Sequence, residues 1–491
     1  MSTDSARVGS APERTDRGFF GQPRPLAHIF GVEMWERFSF YGMQGILLLY
    51  LYYSVDHGGL GVPRAAAAGI VGAYGGGVYL STIVGAWLAD RVLGSERVLF
   101  ASAVVIVCGH LALALVPGIA GVAAGLILVA LGSGGLKANA TRVVGTLYAP
   151  DDTRRDAGFS VFYLGINLGA FVGPLATGAL QSSLGFHYGF GAAAVGMILG
   201  LVQYAIGRRR LPDEARVVPN PLPRNRRMLM LAVAVVAVAL IAVLVATRVI
   251  TAANLVTVVI GITLAAAIAY FVVILSSRAL SSVERRRIYA FIPLFIASTA
   301  FWSLYQQQFT VLTLYSADRL NRDVFGFTFP IPWVQSINPI FIIILSGVFA
   351  AIWTRMGDRQ PSTPLKFGAA NIFMGLAFLL FLAFAGTGRN GTPVLALVLI
   401  LFVFTIAELL LSPVGLSVST KLAPERFQTQ MVALFFLSVA LGTALSGRLA
   451  EFYTLPSEPV YFGVSGLVSI VIGVLVVVFA RPVLRLMSGV R

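Results

Sequence analysis

The sequence predicts an all-α membrane protein with many spans, and three observations carry that reading. Of 491 residues, 57% are hydrophobic and only 12% are charged, against about 25% charged in ordinary soluble domains. The apolar residues gather in repeated runs of roughly 20, the length that crosses hydrocarbon as a helix. The arginines fall in the short segments between those runs rather than along one face. A water-facing surface cannot be assembled from this composition, whereas a lipid-facing one can. The formal net charge of +15 therefore reports membrane topology, not nucleic-acid binding.

Fourteen spans follow in order. The first six lie near 27–53, 66–89, 97–116, 120–141, 158–182 and 187–207. A pair follows near 228–247 and 253–276. The last six lie near 287–316, 330–354, 365–386, 393–418, 428–450 and 459–481. An even number puts both ends of the chain on one side. Of the 36 lysines and arginines, 28 fall on that side, including Arg7, Arg14, Arg17, the Arg208–Arg210 run and Arg491. Six fall opposite: Arg64, Arg248, Arg319, Arg322, Arg389 and Arg448. Arg37 and Lys137 remain inside the spans. The positive-inside bias makes the arginine-rich side the cytoplasm and both termini cytoplasmic.

The chain reads as duplicated. Gly85-Ala-Trp-Leu-Ala-Asp90-Arg91 closes the second span, and Met356-Gly-Asp358-Arg359 closes the second span of the last six in the matching place. That predicts a tail over 1–26, a six-helix bundle over 27–207, and a linker with two extra helices over 208–286. A second six-helix bundle over 287–484 and a short tail over 485–491 complete the chain. Paired repeats of this kind build a central site at their interface.

Several chemistries find no support. Cys108 is the only cysteine, so neither an internal disulfide nor a CxxC metal site is expected. The four histidines (His28, His57, His110 and His187) show no ligand spacing. The glycines at 69, 72, 75, 76 and 77 form no phosphate loop, because no Lys-Ser/Thr follows; they read as close-packing positions. His110 and Cys108, in an apolar span, also read as packing residues. Asn139-Ala-Thr141 is a glycosylation triplet at membrane depth and is set aside. Residues 1–25 are polar and contain proline, with no apolar leader region expected. No enzyme chemistry and no cofactor is predicted, apart from protons as a coupling ion.

Ionisable side chains in mid-membrane are costly enough to mark function. They are Glu33, Glu36, Arg37, Lys137 and Glu408. Glu33-Met-Trp-Glu36-Arg37 spaces three of them by three and four, which places them on one helix face. Lys137, from the fourth span, is expected to balance their excess negative charge in one proton-sensitive network.

Glu33-Met-Trp-Glu36-Arg37-Phe38-Ser39-Phe40-Tyr41-Gly42 resembles the ExxERFxYYG signature of the proton-dependent oligopeptide transporters, a family of the major facilitator superfamily. Lys137-Ala-Asn139, the run Phe159–Pro174, Phe301-Trp302, Asn338-Pro339 and Glu408-Leu-Leu-Leu-Ser412-Pro413 resemble further family patterns. The resemblance covers residues 28–481. It implies the major facilitator fold, two six-helix bundles plus two extra helices (14 transmembrane helices), in a bacterial cytoplasmic (inner) membrane. It also implies a monomer that imports di- and tripeptides with protons by alternating access. By resemblance Lys137 receives the peptide carboxylate and Glu408 holds the amino terminus. Tyr41, Tyr79, Asn167, Asn338 and Ser412 should line the cavity, with Trp302 and Phe435 as pocket walls.

Two positions depart from the pattern. Gln44 stands where the family has an arginine, and Gln306 where it has a glutamate; in the family the two pair across the bundles. Their joint loss avoids stranding a buried charge, which costs about 3–5 kcal/mol. A Gln–Gln hydrogen bond could still close such a gate, but it cannot titrate. A same-fold carrier of another small solute, a weakly coupled one, or a peptide-binding sensor without turnover remain open at this point.

Overall fold

The computed structural model describes residues 18–149 and 152–490, without the side chains of Arg224 and Asp358. Arg7, Arg14, Arg17, Arg491, most of the expected 1–26 tail and the Asp358 side chain lie outside the described residues. The described residues are mostly helical. The first bundle contains α1 (Pro25–Tyr52), α2 (Arg64–Leu88), α3 (Ser95–Leu115), α4 (Gly118–Gly145), α5 (Arg155–Leu184) and α6 (Phe186–Gly207). Then come α7 (Arg224–Ala246) and α8 (Leu255–Leu275). The second bundle contains α9 (Ser282–Tyr305), α10 (Val311–Asp318), α11 (Ile337–Met356), α12 (Thr363–Leu380), α13 (Val394–Lys421), α14 (Gln428–Ala450), α15 (Glu458–Val478) and the short α16 (Ala480–Leu486). Among the described residues, 13 helical segments are long and apolar enough to cross a bilayer. The 28-residue α1 adds a further span, its apolarity diluted by Glu33, Glu36 and Arg37.

Three details differ from the expected spans. The span expected at 287–316 is two helices: a 3-10 turn over Gln306–Phe309 separates α9 from α10, with Thr310 at φ −123°, ψ −88°. A break in mid-membrane is tolerated where protein re-satisfies the freed groups; here Thr313 Oγ1 donates to the Gln308 carbonyl at 3.2 Å. A two-stranded hairpin, β1 (Asp323–Val324) with β2 (Phe327–Thr328), fills the loop after α10. The helix α16 occupies part of the expected 485–491 tail. The start of α9 follows from a Ser281-Ser-Val-Glu284 capping box: Ser281 Oγ accepts from the Glu284 amide, and the Glu284 carboxylate accepts from the Ser281 amide at 2.9 Å.

The first bundle is assembled around α1, which packs against α5 and α6. Gly165, Gly169 and Gly173 recur every fourth residue on α5, so its backbone can approach α1. A Cβ at Gly169 would collide with the Met34 carbonyl, and one at Gly173 with the Phe38 carbonyl. Thr177 Oγ1 donates to the Gly42 carbonyl at 2.8 Å across the same crossing. In the second bundle Ser298 and Ser438 share a 2.7 Å hydrogen bond between α9 and α14, and Asn371 donates from α12 to the Ala297 carbonyl at 3.1 Å.

The extra pair behaves unequally. The helix α8 packs on α2 and α14 and buries Val256, Thr263, Ala267 and Ile274 on one stripe. The helix α7 is exposed almost all round, as a lipid-bathed helix is. Cys108, expected as a packing residue, is exposed on the outer surface of α3, because its position on the helix turns toward lipid. His110 is fully buried, and both its ring nitrogens are without a partner.

Contacts between the bundles concentrate at the arginine-poor side. The helices α2 and α14 cross so closely that a Cβ on Gly72 would lie 2.5 Å from the Gly447 Cα. The start of α11 meets α5: Trp333 Nε1 donates to the Leu175 carbonyl at 3.0 Å, and Ser336 Oγ to the Phe171 carbonyl at 2.7 Å. Arg64 at the start of α2 grips Asp318 at the end of α10 with bonds of 2.6 and 3.2 Å. The Gly72–Gly447 contact yields a prediction. Gly72→Val should destabilise the protein by about 1–3 kcal/mol through overpacking. Gly77→Val, at a site with nothing within 4 Å, should leave it unchanged. Thermal unfolding of the purified variants in detergent checks this.

Candidate functional site

A cavity of about 330 Å³ lies between the bundles. It opens toward the arginine-rich side, where the lining residues Thr141, Tyr163 and Leu416 are exposed. Tyr41, Gln44, Tyr79, Lys137, Asn167, Trp302, Gln306, Asn338, Glu408, Ser412 and Phe435 all line it, together with Glu33 and Arg37. Glu36 does not; it points into the first bundle and is wholly buried.

The charges on α1 form a triad. Arg37 donates to Glu33 Oε1 through Nε at 2.9 Å and Nη2 at 2.6 Å. Its Nε also lies 3.3 Å from Glu36 Oε2. The helical spacing of three and four residues brings both carboxylates to one guanidinium, whose planar fork can serve two acceptors. Of the expected four-member network, Lys137 makes no direct ion pair with these acids among the described residues; its charge still acts on Glu36, and its ammonium lies 4.4 Å from the Tyr79 ring centroid and 6.0 Å from that of Phe40. The aromatic faces of α1 and α2 offer the ammonium a cation–π seat, while Glu33 Oε2 and both Glu36 oxygens are buried without a hydrogen-bond partner.

The opposite wall carries an acid without a cation. Glu408 on α13 accepts from Asn338 Nδ2 at 3.2 Å. Asn338 also donates to Thr405 Oγ1 at 2.9 Å and accepts from the Tyr305 hydroxyl at 3.2 Å. Asn338 at the start of α11 therefore fixes the carboxylate through a neutral network. Pro413 sits one residue beyond Ser412 and interrupts the α13 ladder where Ser412 meets the cavity.

No Gln44–Gln306 hydrogen bond is present among the described residues: Gln44 Oε1 is buried without a partner, and Gln306 lies on the 3-10 turn that follows α9. The neighbouring Gln307 faces into the second bundle and accepts from the Tyr461 hydroxyl at 2.7 Å. Sequence reasoning did not single out Tyr305, Tyr163, Phe309 or Gln335, all of which line the cavity. Tyr163 lies inside the quoted fifth-span run, and Tyr305 one turn from Trp302, so each had a signal in its neighbours. Phe309, stacked on Tyr41 at 5.9 Å, depends on the break after α9 and had none.

Two bundles around a charged, one-sided cavity define a multi-pass membrane transporter of the major facilitator type. The POT family model matches residues 96–467. A di-/tripeptide transporter of Lactococcus lactis subsp. cremoris is 42% identical, over 97% of this chain and 99% of its own. A peptide transporter of Yersinia enterocolitica is 35% identical, over 97% of both chains. Among solved structures, a peptide transporter POT variant in complex with alafosfalin superposes with a TM-score of 0.92 at 44% identity, over 96% of this chain and 98% of that one. A POT family transporter in complex with 5-aminolevulinic acid gives 0.90 at 36%, over 95% and 98%. The chain belongs to the POT family of transporters.

The triad predicts an order of damage. Arg37→Met leaves two buried carboxylates without their cation and should cost about 3–5 kcal/mol. Glu33→Gln keeps one acid paired and should cost less. Yield of monodisperse protein and thermal unfolding of the two variants give the comparison.

Proposed function

We propose that this chain imports di- and tripeptides across a bacterial cytoplasmic membrane, driven by protons. The observation that carries this is the placing of opposite charges on the two cavity walls, Lys137 on the first bundle and Glu408 on the second, neither with an ion-pair partner among the described residues. That layout suits a zwitterion of peptide length: carboxylate toward Lys137, amino terminus toward Glu408, with Asn167 and Asn338 beside the backbone amides. Trp302, Phe435 and Tyr41 supply apolar walls for side chains. The peptide transporters among its relatives support the substrate class. With the arginine-rich side cytoplasmic, the structure is an inward-open state, closed outside by the α2–α14 and α5–α11 contacts and the Arg64–Asp318 pair.

Glu33, Glu36, Arg37 and Lys137 are the groups we assign to proton coupling. A proton taken by one α1 carboxylate leaves a neutral acid and a simple Glu–Arg pair. The membrane potential adds about 2.3 kcal/mol per charge for each 100 mV. Counterflow in proteoliposomes with a panel of di- and tripeptides tests the substrate class; exchange of none of them would exclude it. A weakly coupled carrier is favoured by one specific observation, the uncharged Gln44 and Gln306 at the closed end of the cavity. Binding of peptide without vesicle uptake would instead identify a sensor.

Lys137→Ala should abolish accumulation of peptide against a gradient. Glu408→Gln should chiefly raise KM for peptides with a free amino terminus, by about tenfold or more, as expected for loss of a charge-assisted hydrogen bond of about 1.5–3 kcal/mol. Accumulation by the alanine variant would remove Lys137 from the mechanism.

The glutamine pair gives a second prediction. Gln44→Arg with Gln306→Glu should fold and make uptake more sensitive to pH than in the parent. Gln44→Arg alone should be the most damaging, since arginine cannot shed its charge. Uptake-versus-pH curves for the parent, the double variant and the two single variants Gln44→Arg and Gln306→Glu check this, and matching curves for parent and double variant would place the gate elsewhere.

A further inference from the structure

The chain has only three lysines, and two of them line one pocket away from the central cavity. Lys366 and Lys421 share a cavity of about 370 Å³ at the arginine-rich end of the second bundle, between the ends of α11, α12 and α13. Trp353, Ser362, Thr363 and Ser417 complete the part that matters chemically. Lys366 Nζ donates to Gln360 Oε1 at 3.0 Å and lies 4.2 Å from the Trp353 ring centroid. Neither lysine has an ion-pair partner among the described residues. Two ammonium groups thus occupy one pocket with no anion between them.

The pocket floor is the first turn of α12, an 18-residue helix starting at Thr363. The amides of Thr363 and Leu365 have no carbonyl partner within the helix; Pro364 has no N–H, and the Lys366 amide donates to the Ser362 carbonyl. Two hydroxyls add to them. Ser362 Oγ is buried without a hydrogen-bond partner, and Thr363, 6% exposed, lines the pocket with no hydrogen bond from its hydroxyl among the described residues. Two cations, two hydroxyls without a partner and a helix N-terminus bring together donors that a tetrahedral oxyanion can accept from. The other basic pocket, beside Phe100, differs: its Arg208 and Arg216 are already paired with Glu96 and Asp213.

We propose that the α11–α13 pocket is an anion site for a phosphate-class group. Its place at the membrane boundary, beside a tryptophan, favours the phosphodiester headgroup of an anionic phospholipid as the source. The segment of α13 beyond Pro413 walls both cavities: Leu416 faces the central one, while Ser417 and Lys421 face this pocket. An anion bridging Lys421 to Lys366 ties that segment to α12, on the side where the central cavity is open.

The test uses the purified full-length chain. In one arm, native mass spectrometry after exchange into mixed phosphatidylglycerol and phosphatidylcholine counts retained lipid. In the other, the Tm of delipidated protein is compared in inorganic phosphate and in chloride at equal ionic strength. The parent should retain phosphatidylglycerol preferentially. Lys366→Gln with Lys421→Gln should lose that preference at least tenfold, and Lys366→Arg with Lys421→Arg should keep it. Loss confined to the lipid arm identifies a headgroup, and loss confined to the phosphate arm identifies free phosphate. Should the double glutamine variant not fold, Lys421→Gln alone is read, because Lys421 is exposed. No preference in either arm for the parent, or an unchanged one in the glutamine variants, overturns the proposal.

Discussion

A charge in hydrocarbon has to be enclosed by protein, and in this molecule that requirement falls first on α1. Glu33, Glu36 and Arg37 occupy two turns of a helix that would otherwise be apolar. Left against lipid they would cost several kcal/mol each. The glycine series on α5 lets α1 sink into the first bundle, and the triad there pairs its charges, although Glu33 Oε2 and both Glu36 oxygens keep no hydrogen-bond partner. The placement of α1 then decides what the cavity contains. Its buried side directs Glu36 into the bundle, while the adjoining side presents Glu33, Arg37, Tyr41 and Gln44 to the interface. The cavity is polar because the helix that had to be hidden is the helix that lines it.

The second constraint is the break between α9 and α10. A continuous helix would carry Gln306, Gln307 and Gln308 around a regular spiral. The 3-10 turn instead presents Gln306 and Gln308 to the cavity and Gln307 to Tyr461. It also aims α10 so that Asp318 reaches Arg64, while the next residue, Arg319, is held by Glu458 at 3.0 Å. The charged contact across the closed side thus lies near the membrane surface, where Arg64 is half exposed. The depth of the cavity is sealed by neutral groups: the glycine crossing of α2 with α14 and the hydrogen bonds from Trp333 and Ser336.

Much of this was legible in the sequence, for physical reasons. Span number and order follow from runs of apolar residues, whose length the bilayer fixes. The triad follows from helical spacing, which is local. The lining residues Tyr79, Asn167, Trp302, Asn338, Ser412 and Phe435 were reachable through motif resemblance, not through spacing. What escaped depends on tertiary geometry. Lys137 was expected beside the acids because charge counting ignores direction; among the described residues it makes no direct ion pair with them and sits over the Tyr79 ring. The α9–α10 break carries no proline or glycine at its turn, so nothing local announces it, and Phe309 and the Arg64–Asp318 pair escaped with it. Cys108 shows the same limit: apolar surroundings do not say which side of a membrane helix meets lipid.

The charge inventory of the cavity bears on how the proposed coupling operates. Glu33, Glu36 and Glu408 stand against Arg37 and Lys137, an excess of one negative charge when all are ionised. A zwitterionic peptide spans Lys137 and Glu408 without changing that excess, because it brings one charge of each sign. One proton removes it. A loaded, protonated cavity is therefore neutral, and neutrality matters most when the bundles rock and the groups pass through states with less solvent than the open cavity provides. Arg37 cannot adjust, since a guanidinium keeps its charge, and in the proposed binding mode Lys137 meets the substrate carboxylate. The proton then resides on a carboxylate. With Glu408 facing the peptide amino terminus in that mode, the proposal leaves the acids of α1 to carry it. The glutamines at 44 and 306 add no charge to this count, and the balance rests on the triad that shaped the first bundle.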